Sequence, residues 1–400
     1  MESSAQNKTY DVVIVGGAIM GSSVAWFLTH NPDFNGSILV IECDPTYEFA
    51  STSHTNSCMR QQFSTPVNVK ISQYCAEFIQ QFPEIARDSR IPKLSVQNFG
   101  YLYLANTPEF ATHLQNNQMM QAQLGAGTRT LDQEALRRAY PFMNVEDIIC
   151  ANYNNLNEGY FDGNALFQWW KRLAIAGGAE YICNKVVGIT TAPDRASVQH
   201  IALNSGETIS CGTLINAAGP RAAQLAQMAG LNLPVEPHKR HTYVFAAENP
   251  LGEVLPLTID PNGMHVRSDG DYYMAGCTPD IDPAVAYDDF AEDHDLWMDK
   301  LWPSLANRIP EFERIKVMHS WVGHYAVNTF DRNAIIGADT TVKNMFYING
   351  FSGHGLQQAP AMGRALSELI TYGGFQTLDL GALGPQRLLD GRAKNETALI

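Results

Sequence analysis

The chain has no run of the roughly 18 apolar residues that a membrane-spanning helix needs. Basic residues are scarce. Twenty-seven Lys and Arg stand against 41 Asp and Glu, for a formal net charge of −14. That balance argues against nucleic-acid binding and against docking on anionic membranes, both of which need basic faces. The seven cysteines (Cys43, Cys58, Cys75, Cys150, Cys183, Cys211 and Cys277) are odd in number and widely spaced, with no C-x-x-C pair. Reduced thiols are therefore expected, with no metal site and no disulfide framework. The opening MESSAQNKT has neither an apolar signal core nor an Arg-rich amphipathic stretch, and the closing NETALI carries no address signal. A cytoplasmic protein is the expectation. No internal repeat or low-complexity segment interrupts the 400 residues, enough for two or three domains or two interleaved ones.

What is present is most specific at the start. Tyr10–Val15 (YDVVIV) is a short apolar run, followed by Gly16, Gly17, Ala18, Ile19, Met20 and Gly21 and then the helical stretch SSVAWFL. Downstream, SILVIE ends in Glu42. Strand, glycine turn and helix present backbone N–H groups and a helix N-terminus to a pyrophosphate, and an acid at the second strand's end accepts from ribose hydroxyls. Ala18 stands where the second glycine of G-x-G-x-x-G is expected, so a methyl must be accommodated there.

Further along, Phe49–Phe63 reads as a polar loop. A helix is predicted from about Pro66 to Ile85, a strand at Asn98–Ala105 and mostly helix from Pro108 to Tyr140. Asp162 caps a helix with Leu166, Trp169, Trp170 and Leu173 on one face, leading into a strand at Glu180–Thr190. Gly212–Gly230 is again strand, glycine turn and helix. Strands follow at Arg240–Ala247, Gly263–Arg267 and Tyr272–Gly276, then a charged helix near Asp288–Leu305. A strand at Met345–Asn349, the loop GFSGHG and a helix from about Ala359 to Tyr372 complete the pattern, with a loosely tethered tail. Nucleotide-type turns at both ends with sheet-like insertions between them describe a nucleotide domain built from separated segments, with a substrate domain threaded through it.

Four segments together carry a family resemblance: VIVGGAIMGSSVAWFL, STSHTNSCMRQQFS, INAAGPRAAQLAQMAG, and WVGHYAVNTFDRNAIIG with NGFSGHGLQQAPAMGRALSELI. In them the chain resembles FAD-dependent amine and amino-acid oxidoreductases of the D-amino-acid oxidase superfamily, most of all the sarcosine oxidase and dimethylglycine dehydrogenase branch. The resemblance implies an α/β fold (α+β overall), with a Rossmann-like FAD-binding domain and an interleaved substrate domain on a large mixed or antiparallel sheet. The expected FAD-binding segments are 1–90, 150–235 and 320–390, and the substrate segments 91–149 and 236–319, with 391–400 a flexible tail.

The resemblance also implies site residues. Gly16, Ala18, Ile19, Met20, Gly21 and Glu42 would hold the dinucleotide, and Ser51, Thr52, Ser53, His54, Asn56 and Ser57 would wrap it. Val186 or Val187, with Val187 preferred, would reach the adenine, and Ala217, Ala218 and Gly219 would lie beneath the cofactor. Gly323, Gly350, Ser352, Gly353, His354, Gly355 and Leu356 would face the flavin, where a helix N-terminus stabilises charge on the reduced ring. Relatives attach FAD through a histidine near His54, or through a cysteine at the position of His324. No cysteine follows Cys277, so that cysteinyl link is excluded, and non-covalent FAD is expected. Arg60 is the candidate carboxylate anchor, because a guanidinium fork grips a carboxylate in two bonds. A lysine that assists it in relatives is replaced by Gln357. A lysine that promotes oxygen reaction in relatives falls at Met274, and no lysine lies between Lys239 and Lys300. His265 and His324 are candidates for accepting the substrate's ammonium proton. Tyr243, Tyr273 and Trp321 are candidates for pocket walls.

The expected function is hydride transfer from a secondary amine or amino acid to flavin N5, giving an imine that hydrolyses, with oxygen or another acceptor reoxidising the flavin. The alternatives are oxidation of an α-hydroxy acid or polyol, a nicotinamide dehydrogenase, which would have no need of the GFSGHG loop, and a non-catalytic flavoprotein.

Overall fold

In the computed structural model, which describes residues 8–398, Val12 to Val15 are all buried. A strand buried on both faces belongs inside a parallel sheet. Here the period-two rule divides it cleanly. Val12 and Ile14 enter one apolar core and Val13 and Val15 another, and Ile38 and Val40 separate from Leu39 and Ile41 in the same way. The strand Lys8–Val15 pairs in parallel with Ile38–Glu42 on one side and Thr208–Asn216 on the other. Glu180–Cys183 and Met345–Asn349 extend the parallel set, and Ile335–Ala338 closes it antiparallel. The helices Ile19–Thr29, Pro66–Ala86, Gly163–Ala176 and Gly355–Tyr372 contribute to the first core. Ala222–Met228 and the strand Val198–Leu203 contribute to the second.

The second sheet is dominated by two long antiparallel strands, Val235–Ala247 and Ile315–Asn328, paired from Val235↔Asn328 to Ala247↔Ile315 with a register shift between Val244 and Phe245. Tyr272–Cys277, Met264–Asp269, Leu257–Ile259, Tyr101–Ala105, Cys150–Asn154 and Arg129–Asp132 follow in spatial order. All neighbours are antiparallel except Tyr101–Ala105 with Leu257–Ile259. A third core, including Phe245, Tyr273, Leu305 and Phe312, lies against this sheet. The mixed α/β architecture expected from the sequence is therefore present. The expected boundaries near 150 and 320 fall on strands of the second sheet, Cys150–Asn154 and Ile315–Asn328. Among the described residues no helix is long and apolar enough to cross a membrane.

Several elements differ from expectation. Between the helices Pro108–Gln123 and Gln133–Ala139 lies an edge strand, Arg129–Asp132, after the glycine breaks at Gly125 and Gly127. Three of its four residues are exposed, so its hydrophobic alternation is weak. The charged helix starts only at Leu296, and 278–295 run as an irregular strap. The helix after GFSGHG begins at Gly355, four residues earlier than read.

The segment from residue 391, expected to be flexible, is tied down over its described part. Asp331 Oδ2 accepts from Lys394 N at 3.1 Å, and the Asp331 carbonyl accepts from Glu396 N at 3.1 Å. Asp331 is itself buried and paired with Arg387 at 2.7 Å, and Arg387 also donates to the carbonyls of Asn333 and Ala334. Removing one member of such a pair strands a charge, at about 3–5 kcal/mol. Arg387→Met is expected to lower the unfolding free energy by about that much, measured by chemical denaturation.

Candidate functional site

The opening turn is held by its own glycines. Gly16 has φ +102°, and a Cβ there would lie 2.4 Å from the Ala217 carbonyl oxygen. Ala18, by contrast, has φ −69° and needs no glycine, so the expected difficulty with its methyl does not arise in the backbone. Glu42 Oε2 accepts from Gly17 N at 2.7 Å and Oε1 accepts from Asp44 N at 2.9 Å, which fixes the acid at the end of its strand. The next helix begins at Ile19, so the amides of its first turn have no intrahelical acceptor.

A cavity of about 430 Å³ joins this turn to the far end of the chain. Gly16, Ala18, Ile19, Met20 and Glu42 line one part of it, with Ala217, Ala218 and Gly219. The polar loop contributes Ser51, Thr52, His54 and Asn56. The opposite part is formed by Gly323, His324, Ser352, Gly353, His354, Gly355, Leu356 and Gln357, with Arg60 and His265. Gly353 has φ +94°, and a side chain there would strike the Tyr325 ring at 2.4 Å.

Several of the expected residues do not line the cavity. Gly21 does not line the cavity; it packs on Gly16, whose oxygen would lie 1.8 Å from a Cβ. Ser53 and Ser57 turn within the loop away from the lining, and Gly350 packs on Asn328 and Val235. Val187 is exposed while its neighbour Val186 is buried and lines the cavity, the alternation of a strand placing one of the pair inside. Tyr243 and Tyr273 belong to the third core and are not pocket walls, and half-buried Trp321 donates to the His54 carbonyl at 3.2 Å.

Arg60 is the most constrained side chain of the site. It is 2% exposed, with its guanidinium 4.5 Å from the Phe63 ring centre and 5.8 and 5.9 Å from those of Tyr101 and Tyr103. Nε donates to the Gln62 carbonyl at 3.2 Å. Nη2 donates to His354 Nε2 at 3.0 Å and to the Ala398 carbonyl. Burial and the neighbouring Arg60 charge hold His354 below the ordinary histidine range, so its ring is a neutral acceptor. Gln357 Oε1 accepts from Arg60 N at 2.8 Å; its side chain fixes the arginine's backbone.

Sequence reasoning missed Glu158, a wholly buried carboxylate behind this loop. It accepts from Gln61 N at 2.7 Å, Gln62 N at 3.1 Å, Gln62 Nε2 at 2.9 Å and Asn154 Nδ2 at 2.9 Å. Burial pushes its pKa up to about 7 against these bonds. It also missed Arg240, which lines the cavity and forks onto Asp282 at 2.8 Å through both terminal nitrogens. Only alternation along the Val235–Ala247 strand carried a signal for it.

His324 is committed to the strap: Nε2 meets the Asp289 carbonyl at 2.7 Å, and its ring stacks on Phe290 with centres 4.1 Å apart. Met274 does not line the cavity; its sulfur lies 3.4 Å from Arg267 Nη2. His265 is buried between Arg240 and Arg267, and burial first, then these two charges, lowers its pKa to about 4. A ring so weakly basic is neutral near pH 7 and is left with hydrogen bonding. Below its unfolded value of 6.5 only the unfolded chain binds a proton at this ring. Its contribution to stability is therefore present above pH 6.5 and lost as pH falls toward 4. The slope is at most about 1.4 kcal/mol per pH unit. His265→Gln is expected to flatten the stability profile in this window, measured by denaturation from pH 4 to 7.

The cavity fits a flavin dinucleotide on its own terms. Asp44 Oδ2 and Tyr47 OH near the Glu42 end are buried without partners, as are His241 Nδ1 and His265 Nδ1 near the Arg60 end. Groups of this kind need an acceptor or donor that the protein does not supply. Between them lie the first-turn amides of one helix, of which Ile19 N donates to Thr52 Oγ1 at 3.3 Å, and a Gly-rich second helix start, the donors a pyrophosphate and a ring carbonyl call for.

Comparison with known proteins agrees with this geometry. The family model described as FAD dependent oxidoreductase matches residues 11–369. FAD-dependent oxidoreductase domain-containing protein 1 of Xenopus laevis is 35% identical over 94% of this chain and 82% of its own length. Sarcosine oxidase subunit beta of Rhizobium meliloti (strain 1021) is 25% identical over 92% of this chain and 86% of its own. Among solved structures, L-proline dehydrogenase from P. horikoshii superposes with a TM-score of 0.83 at 23% identity, covering 97% of this chain and all of that one. The chain belongs to the DAO family of FAD-dependent oxidoreductases, and FAD is its cofactor.

Proposed function

We propose that the chain oxidises the carbon–nitrogen bond of a secondary amine or amino acid bearing a carboxylate. The observation that carries this reading is Arg60, a buried guanidinium at the cavity wall beside the start of the Gly355 helix. An arginine sequestered among aromatic rings has lost most of its hydration, so an anion that reaches it binds strongly. Two similar proteins, a sarcosine oxidase subunit and an L-proline dehydrogenase, are named for secondary amines with a carboxylate.

In this reading Arg60 holds the carboxylate and so fixes the α-carbon. Neutral His265 offers a hydrogen bond to the amine. Phe290, Tyr101 and Phe351, which also line the cavity, exclude water around the reacting carbon. Bound FAD, held without a covalent link, supplies the acceptor that takes the α-hydrogen with its electron pair. The substrate leaves as an imine and hydrolyses in water to a carbonyl compound and an amine.

Lys185 is the cavity's single lysine among the described residues, and it stands beside Asn184 and Val186. Lys239 and Lys300 pair with Asp289 and Asp280. With no ammonium group available over the reactive end, slow reaction with oxygen and a preference for another acceptor follow.

Anaerobic mixing with N-methyl and cyclic amino acids is expected to bleach the flavin absorbance. Bleaching by hydroxy acids alone would overturn the assignment. Arg60→Ala is expected to raise KM for carboxylated substrates about 100-fold, or about 2.7 kcal/mol, and an unchanged KM removes it from the site. Glu42→Ala, which frees the Gly17 and Asp44 amides, is expected to weaken FAD binding about tenfold, read by equilibrium titration of the apoprotein.

A further inference from the structure

The fork of Arg60 is not free. Nη2 is engaged by His354 and by the carbonyl of Ala398, and Nε by Gln62, while Nη1 has no partner among the described residues. A substrate carboxylate therefore meets one open N–H edge where two-point binding needs a pair. The competing acceptor comes from the chain itself, 338 residues away in sequence.

The segment that brings Ala398 there is held in a peculiar way. Gly391 to Asn395 are exposed and form no helix or strand, and Thr397 is also exposed. Glu396 alone is driven inward, 1% exposed. Its carboxylate accepts from Ser64 N at 2.8 Å, Thr65 Oγ1 at 2.9 Å, Asn68 Nδ2 at 2.9 Å and Ala398 N at 3.0 Å, with Ser64 Oγ as a further donor. These donors cluster at the start of the Pro66–Ala86 helix, immediately after Arg60 in the chain. Although burial opposes ionisation, the bonds from Ser64 and Asn68 hold Glu396 below the usual carboxylate range. One buried carboxylate thus pins an otherwise exposed segment whose next carbonyl but one caps the arginine.

We propose that residues Lys394–Ala398 form a latch on Arg60, the guanidinium at the carboxylate end of the cavity. It rests on the reading of Arg60 as carboxylate anchor. Substrate entry exchanges one acceptor for another: the Ala398 carbonyl leaves Nη2, the incoming carboxylate takes Nη1 and Nη2 together, and the Glu396 pin loosens with its segment. Glu396 is a positioning residue, acting on Arg60 only through the backbone it anchors.

The test uses the full-length holoprotein and benzoate, a carboxylate that cannot be oxidised at an α-carbon, with binding read from the perturbed flavin spectrum. Three proteins are compared: wild type, Glu396→Ala and a chain ending at Gly391. The latch predicts benzoate binding about tenfold tighter in both altered chains. It also predicts that saturating benzoate speeds amide exchange at residues 394–398 of the wild type, a measurement independent of any variant's folding. Unchanged or weaker binding in the altered chains, with unchanged exchange in the wild type, overturns the latch and leaves Arg60 as anchor, provided Arg60→Ala weakens benzoate. Benzoate binding indifferent to Arg60→Ala overturns the anchor and the latch with it.

Discussion

A single guanidinium kept almost dry organises this end of the molecule. Arg60 is surrounded by Phe63, Tyr101 and Tyr103, and burying a charge so thoroughly is costly unless every direction is answered. The answers come from widely separated parts of the chain: a backbone carbonyl at Gln62, a neutral imidazole at His354, an amide side chain at Gln357 fixing its peptide, and Glu158 fixing the peptides that follow. Those partners explain otherwise odd choices. His354 is neutral because it is buried and also faces Arg60, and Glu158 stays buried because it gathers four donors from one loop and strand. The second sheet supplies two of the aromatic rings and the first core supplies the helix carrying Gln357.

The division of labour between the sheets follows from burial. The parallel sheet is buried on both faces, and its strand ends and helix starts present amides to the cavity, the arrangement typical of nucleotide sites at such sheets. The antiparallel sheet covers the reactive end with side chains: His265, Thr242 and Arg240 from its strands, and the 278–295 strap held through Asp282, Asp289 and Asp293. Charge on that strap is spent on Arg240, Lys239 and neighbouring amides, so the acidic surplus of the chain does not reach the cavity there.

Much of this was legible from sequence because the signals are local. A strand, a glycine turn and a helix within 22 residues define the opening unit, and GFSGHG announces a tight turn before a helix. Arg60 stood out through its motif. The residues that escaped notice act through distance in sequence. Glu396 meets Ser64 across 332 positions, Glu158 meets Gln61 across 97, and Arg240 meets Asp282 across 42, and no periodicity links such pairs. The Arg129–Asp132 strand was invisible for a different reason: its exposed face carries no alternation. The misassigned neighbour pair at Val186 and Val187 shows that a one-residue ambiguity in a strand is an ambiguity of face.

The pairing order of the parallel sheet has a consequence for biogenesis. Its central strand, Lys8–Val15, lies far upstream in the chain of Met345–Asn349, which pairs with the adjacent strand Thr208–Asn216. During synthesis the Leu214–Asn216 end of that adjacent strand must therefore wait uncovered until some 130 further residues have emerged from the ribosome. The cavity, which needs Gly353 and its helix as one wall, stays incomplete until that segment has been made, and a nascent chain stalled before Met345 leaves a parallel edge unpaired.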